Sequence, residues 1–301
     1  YKIITDPQAR AMALESGEID MMSGYQSLSA IKKLVDDDRF QLIKKTQNTS
    51  SFILFNINKE PLDSLAVRQA IGNAVDLDAI VNNLLVGLAS PPSGFFSPAY
   101  GDLVNPNISL PSYDLDKAKQ LLEQDGWIEG EDGIRVKDGK RLSVSLSYGA
   151  SNTEDSLLAP AFKDALAEAG IEVELKPLES AALGEIQETK DYDMVLCGQS
   201  FIPSDHPTFH YTNGYWHSDN YYKIYTSDKL DSMIEELQAE MDPDKRKELH
   251  WAIQQEIMDN IPFLMVYHRN SIRLAKSNIS NFDISSGCWH INRALKDAVI
   301  N

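Results

Sequence analysis

The sharpest change of pattern in the chain falls within residues 51–81. Phe52-Ile53-Leu54-Phe55 is an apolar run of strand-forming residues that stops at Asn56, and Asn58-Lys59-Glu60-Pro61 reads as a polar turn. Behind Asp63 and Ser64, the apolar positions Val67, Ile71, Ala74 and Val75 then recur at helical spacing. The same two patterns alternate through the first third of the chain. Asp6-Pro7 predicts a helix with a capping side chain and proline at its first position, an apolar stripe of Ala9, Met12 and Ala13, and a stop at Gly17. A short strand over Glu18–Met22 leads into a Gly24-Tyr25-Gln26 turn. A short helix over 29–38 ends in Asp36-Asp37-Asp38, a strand follows near 40–45, and a helix over 77–86 stops at Gly87. Residues 90–113 hold five prolines and two glycines, which predicts a long irregular strap of the kind that is functional or packed across another part of the molecule.

Further along, Asp114 caps a helix that ends at Gly126-Trp127. The turn pairs Asp132-Gly133 and Asp138-Gly139 predict hairpins around a short strand at Ile134–Lys137. Strand 142–148 alternates through Leu142, Val144, Leu146 and Tyr148. A helix over 154–169 closes at Gly170, strand 171–176 follows, and a helix near 180–188 leads to Met194-Val195-Leu196-Cys197. Strand, helix, strand, helix, strand predicts a sheet with parallel pairing. Residues 199–226 form a polar and aromatic loop. Two helices over 228–240 and 243–259, strands at 262–267 and 271–275, and an irregular tail complete the pattern.

Composition narrows the function classes. The 301 residues carry a net charge of −17, which disfavours nucleic acid and anionic membrane surfaces, both of which select clustered Lys and Arg. No apolar run approaches the roughly 18 residues of a membrane span. The chain opens directly on Tyr1-Lys2-Ile3-Ile4, read as a strand with no polar lead-in, so a piece of a longer protein is expected. Cys197 and Cys288 are far apart in sequence; one disulfide is open to them, and so few cysteines do not decide the compartment.

Five stretches, in order, resemble the peptide/nickel-type solute-binding proteins of ABC importers, bacterial extracellular solute-binding protein family 5. They are Asp6-Pro7-Gln8-Ala9-Arg10 through Ser16-Gly17-Glu18-Ile19-Asp20; Asn56, Pro61, Asp63, Val67-Arg68-Gln69-Ala70-Ile71, Ala74, Asp76 and Ile80; Asp116-Lys117-Ala118-Lys119-Gln120-Leu121-Leu122 with Gly126-Trp127; Leu230-Asp231 to Asp242-Pro243-Asp244-Lys245-Arg246; and Ile261-Pro262-Phe263. The resemblance implies a C-terminal fragment without the family's lipoprotein leader, first strands and extra subdomain. It also implies an α/β, periplasmic-binding-protein-like fold (type II, large peptide-binding class) with one complete lobe and part of the other. Residues 1–55 and 268–301 would belong to lobe I and residues 56–267 to lobe II. A non-enzymatic, extracytoplasmic protein is implied, in the periplasm or lipid-anchored at the cell surface. It would capture a peptide or a nickel chelate and present it to an ABC permease, with nickel entering as transported ligand rather than cofactor. A peptide-sensing receptor domain and a metal-dependent hydrolase are the alternatives.

The densest candidate chemistry lies in Gln199–His217. Three of the six histidines, His206, His210 and His217, are interleaved there with Phe209, Tyr211, Tyr215 and Trp216. Imidazole suits several transition metals and aromatic walls suit a small-molecule pocket; surface histidines and ordinary loop packing are the plainer alternatives. The resemblance places Asp205 where peptide-binding members receive the ligand's amino group, although His206 splits the family's Asp-Pro pair, and it places His217 for contact with a chelated metal. Gln199, Phe201, Asp205, Tyr215 and Trp216 are therefore candidate ligand contacts, with His206, His210 and His217 as candidate metal contacts. His206 and His210 have the spacing of a zinc-protease helix, but Pro207 occupies the place of its glutamate. Tyr148 and Asn152 bracket a strand-to-helix turn of the kind where α/β sheets bind ligands, and Tyr25 is placed as the opposite wall. No nucleophile elbow, phosphate-binding glycine loop or paired CxxC is found.

Overall fold

The computed structural model describes residues 2–22, 28–200, 216–218, 224–281 and 299–300. Its elements are α1 (Pro7–Glu15), β1 (Met21–Met22), α2 (Leu28–Val35), β2 (Phe40–Phe55), α3 (Leu65–Ala74), α4 (Leu77–Leu84) and β3 (Ala89–Ser90). A 3-10 helix at Pro98–Leu103 precedes α5 (Leu115–Gln124), β4 (Ile128–Glu129), β5 (Arg135–Lys137) and β6 (Lys140–Arg141). Then come β7 (Ser143–Gly149), α6 (Thr153–Glu168), β8 (Glu172–Leu178), α7 (Ser180–Thr189) and β9 (Met194–Ser200). The remaining elements are α8 (Asp228–Ala239), α9 (Pro243–Asn260), β10 (Phe263–Lys276), β11 (Ile279–Ser280) and β12 (Val299–Ile300).

Capping chemistry sets the helix starts. Asp6, Asp76, Asp114, Asn152, Ser227 and Asp242 each accept backbone N–H bonds of the first turn they precede. Ser64 does not, because its hydroxyl donates to Asp125 Oδ1 at 3.0 Å.

The main sheet runs β1-β10-β2-β9-β7-β8, with β3 also on β10. β7 is parallel to both β8 and β9, as the strand and helix alternation predicts, and β2 is antiparallel to its two neighbours, β9 and β10. The period of two along β2 divides its side chains between two apolar layers. Ile53 and Phe55 join Val67, Ile71, Leu158, Phe162 and Leu146 under α3 and α6. Phe52 and Leu54 join Phe95, Phe96, Leu230, Ile253 and Phe263 under α8, α9 and the strap. A smaller cluster of Leu14, Met22, Ile31, Leu34, Phe40, Ile272 and Leu274 holds the other end of β2 and β10.

Several sequence expectations need correction. The strands expected near 40–45 and 52–55 are one strand of 16 residues, and those at 262–267 and 271–275 are one strand of 14. The polar stretches Lys45–Ser50 and Arg269–Ser271 look like breaks, but they lie on paired strands whose backbone bonds do not depend on apolar side chains. Residues 2–5 carry no strand, and the strand at 18–22 shrinks to Met21–Met22. In β5 the charged member is the buried one: Arg135 is 1% exposed and donates to the carbonyls of Ala169 and Trp127 at 2.9 Å. The strap docks as expected, with Phe95 and Phe96 buried and the Asn105 N–H donating to Gln254 Oε1 at 3.0 Å.

Candidate functional site

β7 is the strand at which the winding of the sheet reverses. From it the chain passes through α6, on one face, to β8; from β8 it returns through α7, on the other face, to β9 on the far side of β7. Helices that leave on opposite faces open a crevice at the carboxyl ends of such strands, which is where open α/β sheets hold ligands. Gly149 ends β7 there, Ser200 ends β9 and pairs with Thr49, and β2 and β10 continue past this level as a ribbon, with the short β3 and β1 added along β10. The ribbon bulges at the same level. Ser50 faces His268 and Thr46 faces Asn270, so residues 47–49 of β2 stand opposite Arg269 alone.

The turn into α6 places two charged side chains on this rim, Glu154 and Asp155, and β10 brings a third, Arg269. Asn152 Oδ1 accepts the N–H groups of Glu154 and Asp155 at 3.0 and 3.2 Å. This fixes both acidic residues in the first turn, where carboxylates are favoured by the helix dipole. Both are buried, yet Arg269 reaches across from β10 and its Nη2 lies 3.1 Å from Glu154 Oε1. Asp155 accepts the Gly149 N–H; burial, and then the charge of Glu154, push its carboxyl up to about 7, opposed by that bond and by Arg269. Tyr267 hydrogen-bonds Arg269, and its phenol is raised by burial. The Cys197 thiol is raised by burial and by the nearby Asp155 charge.

On the strap face, His268 Nδ1 lies 2.8 Å from Ser50 Oγ while Nε2 accepts the Ser93 N–H at 3.4 Å. That pattern belongs to neutral imidazole with the proton on Nδ1, and burial pushes the ring down to about 4.

The candidates from sequence fall in different places. Asn152 is the helix cap at the rim, and Tyr148 is 9% exposed within the apolar layer under α3 and α6. Gln199 lies in β9 opposite Ser50. Trp216 is 4% exposed, its ring 5.3 Å from that of Phe263 and 5.8 Å from that of Phe95. His217 is half-buried with Nε2 3.9 Å from Glu235 Oε1. Tyr25, Phe201, Asp205, His206, His210, Tyr215 and Cys288 lie outside the described residues. Among the described residues no three of His, Cys, Asp and Glu gather to hold a metal, and no helix is long and apolar enough to cross a membrane. Glu154, Asp155 and Arg269 were not singled out from sequence. The usable signal was the acidic pair directly behind a capping Asn at a strand end, set against a lone Arg in the polar break of β10.

Residues 1–222 match bacterial extracellular solute-binding proteins, family 5 Middle. The chain belongs to this family. This solute-binding protein is 25% identical over 289 residues to the nickel-binding periplasmic protein of Escherichia coli (strain K12), covering 93% of its own length and 55% of that protein. It is likewise 25% identical over 296 residues to the oligopeptide-binding protein AppA of Bacillus subtilis (strain 168), covering 94% and 52%. NikA from Brucella suis, solved with Fe(III)-EDTA, superposes with a TM-score of 0.82 at 23% identity, over 95% of this chain and 58% of that one. The fold is thus the two-lobed α/β fold of type II solute-binding proteins, and the chain spans about half the length of the curated relatives it matches.

Proposed function

We propose that this chain is part of the extracytoplasmic solute-binding component of an ABC importer, which captures a nickel chelate or a short peptide between two lobes and hands it to a membrane permease. In this reading residues 56–267 are one complete lobe, and residues 1–55 and 268–301 are part of the other. The observation that carries it is the rim. In a member of this family, the reversal point of the sheet coincides with the level at which β2 and β10 leave it together as a ribbon. Ligand held there touches both the sheet and the crossing strands, so its differential affinity for the closed arrangement supplies the free energy of closure.

Relatives of both ligand types support both ligands. The histidines between 206 and 217 incline the choice to nickel. The test is thermal denaturation of the full-length protein with nickel, with nickel plus a chelator such as histidine, and with a mixture of short peptides. Ligand at a hundredfold excess over Kd stabilises by about 2.7 kcal/mol, an upward Tm shift that is readily measured. A shift with one class alone identifies the ligand. No shift with any nickel form removes the nickel reading, and no shift with any probe removes the binding function.

A further inference from the structure

Resting on that reading, we propose that His268 is an acid-sensitive pin between the strap and the crossing strand. As neutral imidazole it holds the start of the strap on β10 beside the bulge; protonated, it frees the strap and the captured ligand is released. Around β3, where the strap begins, β10 holds the chain at successive points. Leu88 O accepts the Asn270 N–H at 2.8 Å, Gly87 O accepts from Asn270 Nδ2 at 3.0 Å, and Ser90 Oγ donates to Asn270 Oδ1 at 3.1 Å. His268 adds the tie to the Ser93 N–H, two residues before the buried Phe95. Further along, the strap is tied to α9: Leu103 O accepts from Gln254 Nε2 at 2.8 Å and Asp102 O from Trp251 Nε1 at 3.0 Å. Asn, Gln, Ser and Trp keep their donors and acceptors at every ordinary pH, so of these side chains only His268 is switched by acid.

The partners of the ring decide its protonation state. A backbone N–H can only donate, so Nε2 carries no proton while it accepts from Ser93, and the proton sits on Nδ1 toward Ser50 Oγ. An imidazolium would set a second N–H against that of Ser93. The elements packed on the ring offer it no counter-charge. β2 presents Ser50 and the strap presents Ser90 and Ser93, while Tyr267 and Arg269 of β10 lie on the other face with Glu154 and Asp155. The residue is 1% exposed, and burial is what lowers its pKa. The charged form is therefore accommodated only when the strap moves off and water reaches the ring. Phe95 moves with the strap. Its ring is 5.6 Å from that of Phe263 and 5.8 Å from that of Trp216, a candidate ligand contact, so release unpacks the layer that supports Trp216.

Deuterium exchange of the full-length protein between pH 6.5 and 4, scaled to free-chain rates at each pH, reads the strap with no ligand present. Freeing the strap takes up one proton, so protection of the Ser93 amide should fall about tenfold per pH unit below pH 6, with no matching loss at Phe52–Phe55 of β2. Imidazole 15N shifts of the same protein should show the ring titrating in step. Neither measurement needs a variant. His268→Gln places a carbonyl oxygen near the position of Nε2 and takes up no proton, so its strap should stay protected at pH 4. Affinity for a mixture of short peptides and for nickel–EDTA, an acid-stable chelate, should drop on acidification in the wild type and hold in His268→Gln. A ring already charged at pH 6.5, strap protection that does not follow the ring, or an equal loss of affinity in both proteins overturns the pin and leaves the transport reading standing. Failure of every probe to bind at pH 6.5 overturns both.

Discussion

β2 and β10 hydrogen-bond to each other for almost their whole length, yet the two halves of β2 inhabit different surroundings. Residues 50–55 and 263–268 are buried throughout, with β9 on the far side of β2 and apolar layers on both faces. Residues 40–46 of β2 are mostly half-buried or exposed, lack β9, and rest on one small cluster through Phe40 with Ile272 and Leu274 of β10. The ladder is common to both halves, so burial accounts for the difference. Net hydrogen-bond energies are modest, whereas each fully buried large apolar side chain contributes about 1.5–3 kcal/mol. The bulge at residues 47–49 and Arg269 marks the border between the halves, and that is where a chain can flex while losing least.

Core truncation gives the widest contrast. Phe55, 1% exposed, should cost about 3–5 kcal/mol when changed to Ala. Leu42, half-buried in the other half, should cost about 1 kcal/mol in the same change. Urea unfolding of both variants measures the difference; equal losses would mean that the ribbon is a uniform structural unit and would break the comparison.

Arg68 sharpens the buried side. It donates from Nε to Ile261 O at 3.0 Å, from Nη1 to Leu62 O at 2.6 Å and Asp63 O at 3.0 Å, and from Nη2 to Asn260 O at 2.9 Å. Burial lowers its pKa, yet those carbonyls, two of them at the end of α9 just before β10, hold the guanidinium in place. Arg68→Met strands them and should cost about 3 kcal/mol. Arg68→Lys should recover little, because an ammonium cannot present the planar fork that spans four acceptors. Full recovery by Lys in denaturant unfolding would show that charge, not geometry, is what the site uses.

The same contrast explains what was legible in the sequence. Elements with strong local signals were placed within a residue or two: Asp6-Pro7 starts α1, Asp114 starts α5, and Gly17, Gly87, Gly126 and Gly170 take positive φ where helices stop. The two long strands were divided because pattern reading treats Lys45–Ser50 as a boundary, while pairing with a distant strand is invisible locally. For the same reason β7 was read as alternating, whereas it is buried on both faces from Val144 to Tyr148. At the rim, the Tyr148–Asn152 turn was legible as a strand end. The link from Arg269 to Glu154 was not, since 115 residues separate them.

Protonation distinguishes the two faces of the rim. Asp155, raised to about 7, binds a proton when the protein folds, so its stabilisation is full below the unfolded value of 3.8 and is lost as pH rises toward 7. His268, lowered to about 4, excludes a proton on folding, so its stabilisation is full above the unfolded value of 6.5 and is lost as pH falls toward 4. Each slope is about 1.4 kcal/mol per pH unit and the signs are opposite, so the wild type should vary little between pH 4.5 and 6 from these two groups. Asp155→Asn should lose stability on acidification across this range, and His268→Asn should gain it. Parallel slopes in the two variants, measured by urea unfolding at each pH, would contradict the opposed titrations.

The smallest effect tests the far end of the ribbon directly. Lys276 Nζ lies 2.6 Å from Asp20 Oδ1 at the end of β10, with side chains 30% and 54% exposed. Solvent screens such a pair, and holding two side chains together costs entropy, so Lys276→Ala should lose no more than about 1 kcal/mol, and less in high salt. The register survives the change: Lys276 N–H donates to Asp20 O at 3.0 Å, and Met21 still faces Ala275. A larger loss, or one insensitive to salt, would mean that this half of the ribbon is held by specific polar ties rather than by its small apolar cluster. The bulge would then no longer mark the boundary between a firmly held stretch and a loosely held one.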